Sequence, residues 1–372
     1  MSAAFDNFYA AKRVLVTGHT GFKGSWLALW LKKLGAEVCG LGLKPPTDPN
    51  LYEVIRAGVF VREHECDIRD LKAVAAAVKQ TAPDLVFHLA AQPLVRRSYA
   101  DPVETFETNA LGTVHLLEAV RHSELPCAVV VITTDKCYQD QEREDGCRET
   151  DPLGGHDVYS MSKAAAELVI QSWRKSFFLP NSKLGNVASG RAGNVIGGGD
   201  YAEDRIVPDC IRALLAGKPI PVRSPSAVRP WQHVLDCLSG YLWLGVCLTR
   251  ADRQTSLASP FNFGPGTQAN LSVNELVREI LRLWPGSWEP AGQPGAPRET
   301  HRLNLSIDKA AALLHWFPTW TFGEAIQQTV AWYRERHVRQ NPDMPGFSLR
   351  QIDAFSSAAA AKRLAWAQSL SS

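Results

Sequence analysis

The run Val14-Leu-Val-Thr-Gly-His-Thr-Gly-Phe-Lys-Gly24, continued by Ser-Trp-Leu-Ala-Leu-Trp-Leu-Lys-Lys-Leu-Gly35, constrains the fold of this chain more than any other stretch. Val14 to Val16 are apolar and β-favouring, and read as a short buried strand. Gly18, Gly21 and Gly24 follow with the spacing Gly-x-x-Gly-x-x-Gly. Trp26, Leu27, Trp30, Leu31 and Leu34 then recur at helical spacing until Gly35 stops the helix. A strand, a three-glycine turn and a helix in this order make a clamp for a dinucleotide. One glycine allows the tight turn, one lets backbone amides approach a pyrophosphate, and one lets the helix pack closely on the strand. The helix N-terminus adds unsatisfied N–H groups and a positive dipole end. Thr20, Phe22 and Lys23 stand between these glycines and share the site.

Strand and helix patterns alternate from there. Glu37 to Leu43 reads as a second strand, but Leu43-Lys44-Pro45-Pro46 stands where an NAD-binding unit usually places a ribose-binding carboxylate. Lys44 would instead attract a 2′-phosphate, so the preference for NAD over NADP does not come from this position. Gly58 to Arg62 is a short third strand. Asp67 follows, where a carboxylate can accept from an adenine amino group; the alternative is a helix N-cap, since Asp70 begins the apolar-periodic segment Leu71 to Gln80. Leu85 to Ala91 is a fourth strand, continuously apolar as a strand buried on both faces should be. Its small end, Ala90-Ala91, lets a cofactor lie against backbone, and His88 within it reads as a core histidine. Thr108 to Thr113 opens a helix, Ala128 to Thr134 is the next strand, and Val158 to Lys163 starts an alanine-rich helix. This alternation predicts an α/β fold, a Rossmann-type doubly wound parallel sheet.

From about Gly199 the pattern changes, with Pro208, Pro219, Pro221, Pro225 and Pro230 breaking up the segment. Helices are expected over Ser272 to Trp284 and Phe322 to His337, a surface loop over Pro285 to Pro297, and an alanine-rich tail over 357–372 as a loosely held helix. The predicted organisation is a cofactor domain over 1–198, a smaller, irregular α/β C-terminal substrate lobe over 199–356 that returns some strands to the sheet, and the tail. At 372 residues the chain suffices for one large or two modest domains. A net charge of +2 without a lysine-rich tract argues against a nucleic-acid partner. No apolar run approaches the ~20 residues of a membrane span, and Met1 to Lys12 lacks a signal-peptide pattern, so a cytoplasmic protein is expected. Eight cysteines without a Cys-x-x-Cys pair read as reduced thiols, and no metal site is expected.

Tyr159 and Lys163 lie one turn apart on one helix face. A free tyrosine, with a pKa near 10, is a poor base at neutral pH. A lysine ammonium and a positive nicotinamide ring beside it would favour the phenolate. Tyr159 can then take the proton of a substrate hydroxyl as hydride leaves the attached carbon.

With these residues the chain resembles the extended short-chain dehydrogenase/reductase family, and within it the nucleotide-sugar 4,6-dehydratases. Thr17-Gly-x-x-Gly-x-x-Gly24, His88-Leu-Ala-Ala-Gln-Pro-Leu-Val95, Thr133-Thr-Asp-Lys-Cys-Tyr138, Tyr159-x-x-x-Lys163, Arg191-Ala-Gly-Asn-Val-Ile-Gly-Gly-Gly-Asp200 and Arg229-Pro-Trp-Gln-His-Val234 carry the resemblance, which covers roughly Phe8 to His337. It implies NAD as cofactor, held also by Ile68, Leu89, Asn109 and Thr133. Related enzymes for dTDP-glucose and GDP-mannose carry glutamate as the third member of the triplet Thr134-Asp135-Lys136. Lysine there matches the branch acting on CDP-glucose, so a sugar nucleotide of that kind is the implied substrate, in a step toward 3,6-dideoxyhexoses of O-antigen.

The resemblance implies that Thr134 hydrogen-bonds the C4 oxygen beside Tyr159. Asp135, protonated, is the acid for the departing C6 hydroxyl, and Lys136, desolvated and partly neutral, is the C5 base. Asn194 is expected to hold the sugar diphosphate, Arg229, Arg302 and more weakly Arg205 its phosphates, and Gln92 to sit near the sugar. A nucleotide-sugar 4-epimerase or reductase on the same fold would share Tyr159 and Lys163 without needing Asp135 and Lys136, and an NAD(H)-sensing binding protein would need neither pair. Paired helices over Leu111 to Ala119 and Ala164 to Trp173 are the candidate interface of a homodimer or homotetramer.

Overall fold

The computed structural model describes residues 4–139, 145–181, 183–252, 256–292 and 303–368. Five strands form in the order the alternation predicts, β1 (Arg13–Thr17), β2 (Glu37–Gly42), β3 (Phe60–Glu65), β4 (Leu85–His88) and β5 (Ala128–Ile132), and a sixth follows, β6 (Val187–Arg191). The helices between them are α1 (Phe22–Lys33), α2 (Leu51–Ile55), α3 (Leu71–Thr81), α4 (Val95–Ala100), α5 (Pro102–Phe106), α6 (Gly112–Ser123) and α7 (Val158–Trp173). A further strand, Pro260–Asn262, returns from the C-terminal third and pairs parallel with β6. The resulting seven-stranded sheet runs, from that strand, β6-β5-β4-β1-β2-β3, and every pair in it is parallel.

Alternate residues of the central strands face two different cores, as the two-residue period of a strand requires. Val14, Val16, Phe87, Val130 and Ala188 join one apolar cluster, and Leu15, Val86, Val129, Val131 and Val187 join the other. Helices on both faces therefore sandwich the sheet, which is why β4 and β5 read as continuous apolar runs. The strand order reverses between β1 and β4, and the carboxyl ends of these two strands open the crevice where ligands of such sheets bind.

The later helices are α8 (Ile206–Leu215), α9 (Val234–Arg250), α10 (Val273–Leu283), α11 (Asp308–Leu314), α12 (Phe322–His337) and α13 (Met344–Ala361). Helices α10 and α12 each start at a capping box, Ser272 with Glu275 and Thr321 with Glu324, and this fixes their first residues. Two expectations are corrected. Trp288–Pro290, inside the expected surface loop, is a strand paired parallel with Ile220–Val222; residues 293–297 of that loop lie outside the described residues. The tail boundary at 357 falls inside α13, whose Phe355 and Ala359 are fully buried, as is Trp366 beyond it. Phe355 and Trp366 both pack on Trp30 of α1, so this end of the chain is anchored by aromatic contacts that no local pattern announces. No helix among the described residues is long and apolar enough to cross a membrane.

Candidate active site

The glycine turn is built as its spacing implies. Gly18 has φ +71°, and a Cβ there would stand 2.7 Å from the Ala90 backbone nitrogen. A Cβ on Gly24 would stand 2.1 Å from the Gly18 carbonyl oxygen, so α1 can begin only if this position is bare. Gly21 is the N-cap of α1 with no side chain covering the helix end. Bare backbone, a helix N-terminus and the small Ala90-Ala91 edge opposite it fit the diphosphate of a dinucleotide. Thr20 donates its hydroxyl to the Leu43 carbonyl at 2.9 Å, tying the turn to the end of β2.

Around this turn the remaining predicted cofactor residues fall into two groups. Asp70 accepts from the amides of Lys72 and Ala73 and is the N-cap of α3, which leaves Asp67 for another role. The Asp67 carboxylate meets Arg69, at 2.7 Å from the nearer guanidinium nitrogen, and this contact holds it below the usual carboxylate range. Ile68 is buried against Gly112 of α6. His88 is a core residue: Thr17 Oγ1 lies 2.6 Å from its Nδ1, and burial followed by the Lys163 charge lowers its pKa to about 3. Asn109 acts as a clamp, accepting from the Gln92 amide at 2.8 Å and donating to the Gln92 carbonyl at 3.1 Å and to Ser162 Oγ at 2.9 Å. The Gln92 side chain is itself committed to the protein. It donates to the Leu94 carbonyl at 3.0 Å and to Thr105 Oγ1 at 2.9 Å, and accepts from the Leu94 amide at 2.6 Å. Gln92 thereby shapes the loop after β4.

At the end of β5, Thr134, Asp135 and Lys136 enter a short 3-10 turn, with Lys136 half-buried. Thr134 Oγ1 donates to Asp135 Oδ1 at 3.0 Å and accepts from the Lys136 amide at 3.3 Å. Asp135 is 3% exposed, and its Oδ2 has no hydrogen-bond partner among the described residues. Gly193, after β6, lets the chain approach this oxygen: a Cβ there would stand only 1.7 Å from Oδ2. The Gln232 side chain holds the turn by donating to the Gly193 carbonyl at 3.1 Å. Asn194 follows with φ +38°, and its side chain makes no hydrogen bond among the described residues. Gly193→Ala should displace Asp135 or the turn and lower turnover about a hundredfold, a misplacement effect. Steady-state kinetics beside an NAD-binding titration check this, the titration being expected unchanged.

Tyr159 and Lys163 face the same turn from α7. Burial raises the Tyr159 pKa to about 12, opposed by the neighbouring Thr134 side chain and by Arg205. Lys163 Nζ donates to the Ile132 carbonyl at 3.2 Å, and burial followed by the charge of Lys23 lowers its pKa to about 8. Lys163 is thus poised to be cationic at neutral pH and easily perturbed. Its burial costs stability where it is charged: below about pH 8 the full penalty applies, and stability recovers as pH rises from 8 toward the unfolded value near 10.5. Lys163→Met should therefore unfold at higher urea at pH 7, by about 1–3 kcal/mol, with the gain shrinking toward pH 10. Denaturation curves at both pH values measure the difference.

Arg205 and Asp200 form an ion pair at 2.8 Å at the start of α8, within electrostatic range of Tyr159 and Lys23. Arg229 is 7% exposed and donates to its neighbour's carbonyl, that of Val228, at 2.9 Å. Arg302 lies outside the described residues.

One group was missed by sequence reasoning. Thr133, next to the triplet, donates to Glu167 Oε1 at 2.5 Å. Glu167 Oε2 accepts from Ser189 Oγ at 2.9 Å and from Arg191 at 2.8 Å, and Arg191 also donates to the Tyr138 hydroxyl at 2.9 Å. Glu167 and Arg191 are 3% and 2% exposed, respectively. Glu167 follows Lys163 by four residues on the same helix face, the spacing that could have revealed it.

A parallel sheet with this turn at its switch point, and a tyrosine–lysine pair beside a polar strand end, define a nucleotide-dependent enzyme of the short-chain dehydrogenase type. The chain belongs to the NAD dependent epimerase/dehydratase family, whose model matches residues 14–252. It is 45% identical to the CDP-glucose 4,6-dehydratase of Salmonella typhimurium over 357 residues, 95% of this chain and 98% of that protein. Among solved structures, it resembles the dTDP-glucose 4,6-dehydratase of Streptomyces venezuelae with NAD and TYD bound. That match has a TM-score of 0.74 at 26% identity, covering 88% of this chain and 99% of the other. The UDP-glucose 4-epimerase of Thermus thermophilus in complex with NAD matches with a TM-score of 0.73 at 28% identity, covering 86% and 98%.

Proposed function

We propose that the protein converts CDP-glucose to CDP-4-keto-6-deoxyglucose. The reading is carried by Asp135, whose buried Oδ2 lacks a hydrogen-bond partner among the described residues beside Thr134 and the Tyr159 side chain. A 4-epimerase has no water to expel and no use for an acid in this place. The 45% identity to a CDP-glucose 4,6-dehydratase supports the same choice.

NAD would be held by the Gly18 to Gly24 turn, Asp67, Ile68, Leu89 to Ala91, Asn109, Thr133, Tyr159 and Lys163. When bound, it supplies the acceptor for hydride from C4 and the donor to C6, so none is consumed overall. Tyr159 takes the C4 hydroxyl proton, with Thr134 on the same oxygen. The C4 ketone acidifies the C5 proton, which Lys136 removes while Asp135 protonates the departing C6 hydroxyl; as hydride reaches C6, Lys136 returns a proton to C5. Asn194, Arg205, Arg229 and Arg302 would hold the diphosphate.

Residues 1–198 would form the cofactor domain and 199–356 the substrate lobe of a cytoplasmic enzyme of O-antigen deoxysugar synthesis. Leu111, Met161 and Leu168 are 44%, 48% and 51% exposed on adjoining elements, which supports a homodimer or homotetramer built across this face. Incubation with NAD and, in parallel, CDP-glucose, dTDP-glucose and GDP-mannose tests the reading by mass spectrometry. Loss of one water from CDP-glucose alone is expected, and loss from another sugar nucleotide instead removes the proposed substrate. Lys136→Met should keep NAD binding and lower water loss about a thousandfold. In heavy water it should no longer place a solvent deuteron at C5; unchanged exchange would exclude Lys136 as the C5 base.

A further inference from the structure

A cavity of about 640 Å³ opens between the end of α7, β6 and the strand Pro260–Asn262, on the far side of Glu167 from Thr133. Arg174 lines it from the π-turn Arg174–Phe178 that follows α7. It is 7% exposed, yet its guanidinium makes no hydrogen bond or ion pair among the described residues. Arg191, on the opposite wall, has a buried Nε with no partner there either. Lys309 Nζ reaches the cavity edge while donating to Ser259 Oγ at 2.8 Å and to the Pro260 carbonyl at 2.7 Å.

Four carboxylates line the cavity beside its cationic side chains: Asp151 accepts from the Arg148 amide at 2.8 Å, Asp308 is exposed, and the acids of the inner wall are already engaged. Glu167 balances Arg191, and Glu149 accepts from the Asn262 amide at 2.7 Å and faces the charge of Lys309. Arg174 is left with the through-space attraction of Glu167, which Arg191 already engages, and with no hydrogen-bonded counter-charge among the described residues. A buried guanidinium without a hydrogen-bonded partner is destabilising, and an uncharged side chain of similar length would avoid that cost. Burial also lowers the Arg174 pKa, a desolvation effect that a bound anion would offset. π-turns of this kind recur at functional sites.

We propose that this cavity is a second binding site, taking a phosphate group with Arg174 as its anchor and Lys309 as a further donor. A guanidinium and an ammonium on one space can meet several oxygens of a tetrahedral anion at once. The phosphate is either the free ion or the group of a monoester, for which the cavity has room. Its occupation reaches the active site through known contacts: Arg191 and Glu167 hold Thr133, the residue before Thr134.

Calorimetric titration tests the site, with inorganic phosphate and glucose 1-phosphate as separate probes on the full chain in saturating NAD and CDP. One phosphate per chain is expected, with affinity at least tenfold weaker in Arg174→Gln. Gln171, exposed at the cavity mouth, provides a variant that does not disturb the core: Gln171→Glu should weaken the same binding severalfold through like-charge repulsion. Tighter binding of the ester than of phosphate assigns the monoester as occupant, and equal binding assigns the free ion. Absence of saturable binding to the unaltered chain, or equal affinity in the unaltered chain and both variants, overturns the proposal.

Discussion

Tyr159→Phe is expected to lower turnover of CDP-glucose about a thousandfold, the scale of a lost general base, while NAD and substrate bind as before. The substitution removes one oxygen from a side chain that is 8% exposed and otherwise keeps its packing. In the proposed mechanism that oxygen takes the C4 proton; Thr134 lies beside it and Lys163 stands one turn further along α7. Without ligands, burial holds the phenol at about 12, so Tyr159 is not a base by itself at neutral pH. A positive nicotinamide ring and the Lys163 ammonium would have to lower it on binding. The unaltered enzyme should therefore gain activity with rising pH through the phenol's lowered value, and the residual activity of Tyr159→Phe should lose that limb. Rapid-quench kinetics and a pH profile measure both. Retention of full turnover would remove Tyr159 from the chemistry.

Glu167→Gln should destabilise the fold by about 3–5 kcal/mol, the largest stability effect expected of any single change at the site. Burial pushes the Glu167 carboxyl up, but Arg191, Thr133 and Ser189 more than offset this and hold it below its ordinary value. The carboxylate therefore acts as an anion accepting three hydrogen bonds. A carboxamide keeps the shape, leaves Arg191 buried without a counter-charge, and places an N–H where an acceptor was needed. Urea unfolding of the two proteins gives the difference. Turnover should fall as well, because Thr133 loses the contact that fixes the strand end before Thr134. Equal midpoints would mean that Glu167 and Arg191 are not coupled.

Much of this was legible because it is local. Three apolar residues, three glycines and a helical stripe specified β1, the turn and α1, and the limits of α12 follow directly from a capping box and its periodicity. Tyr159 and Lys163 were legible for the same reason, being one turn apart. What escaped depends on partners distant along the chain. Glu167 gains its role from Thr133, Ser189 and Arg191, which the fold alone assembles. Gln92 looked available in sequence, and only the approach of Leu94 and Thr105 shows it to be engaged. The end of the chain looked loose because alanines carry little pattern, yet Phe355 and Trp366 fasten it to Trp30. The strand Trp288–Pro290 was hidden by its proline and by Gly286 and Gly292 on either side, which suit an edge as well as a loop.

The most direct measurement follows one hydrogen through the reaction. CDP-glucose carrying deuterium at C4 is incubated with the enzyme and NAD in ordinary water, and the product is examined by NMR and mass spectrometry. Deuterium at C6 of a 4-keto-6-deoxy sugar, with one water lost, is the expected result, because the hydride leaves C4 and returns within the same sugar to C6. Deuterium still at C4, in a C4 epimer of unchanged hydration, would contradict dehydration and make the protein an epimerase.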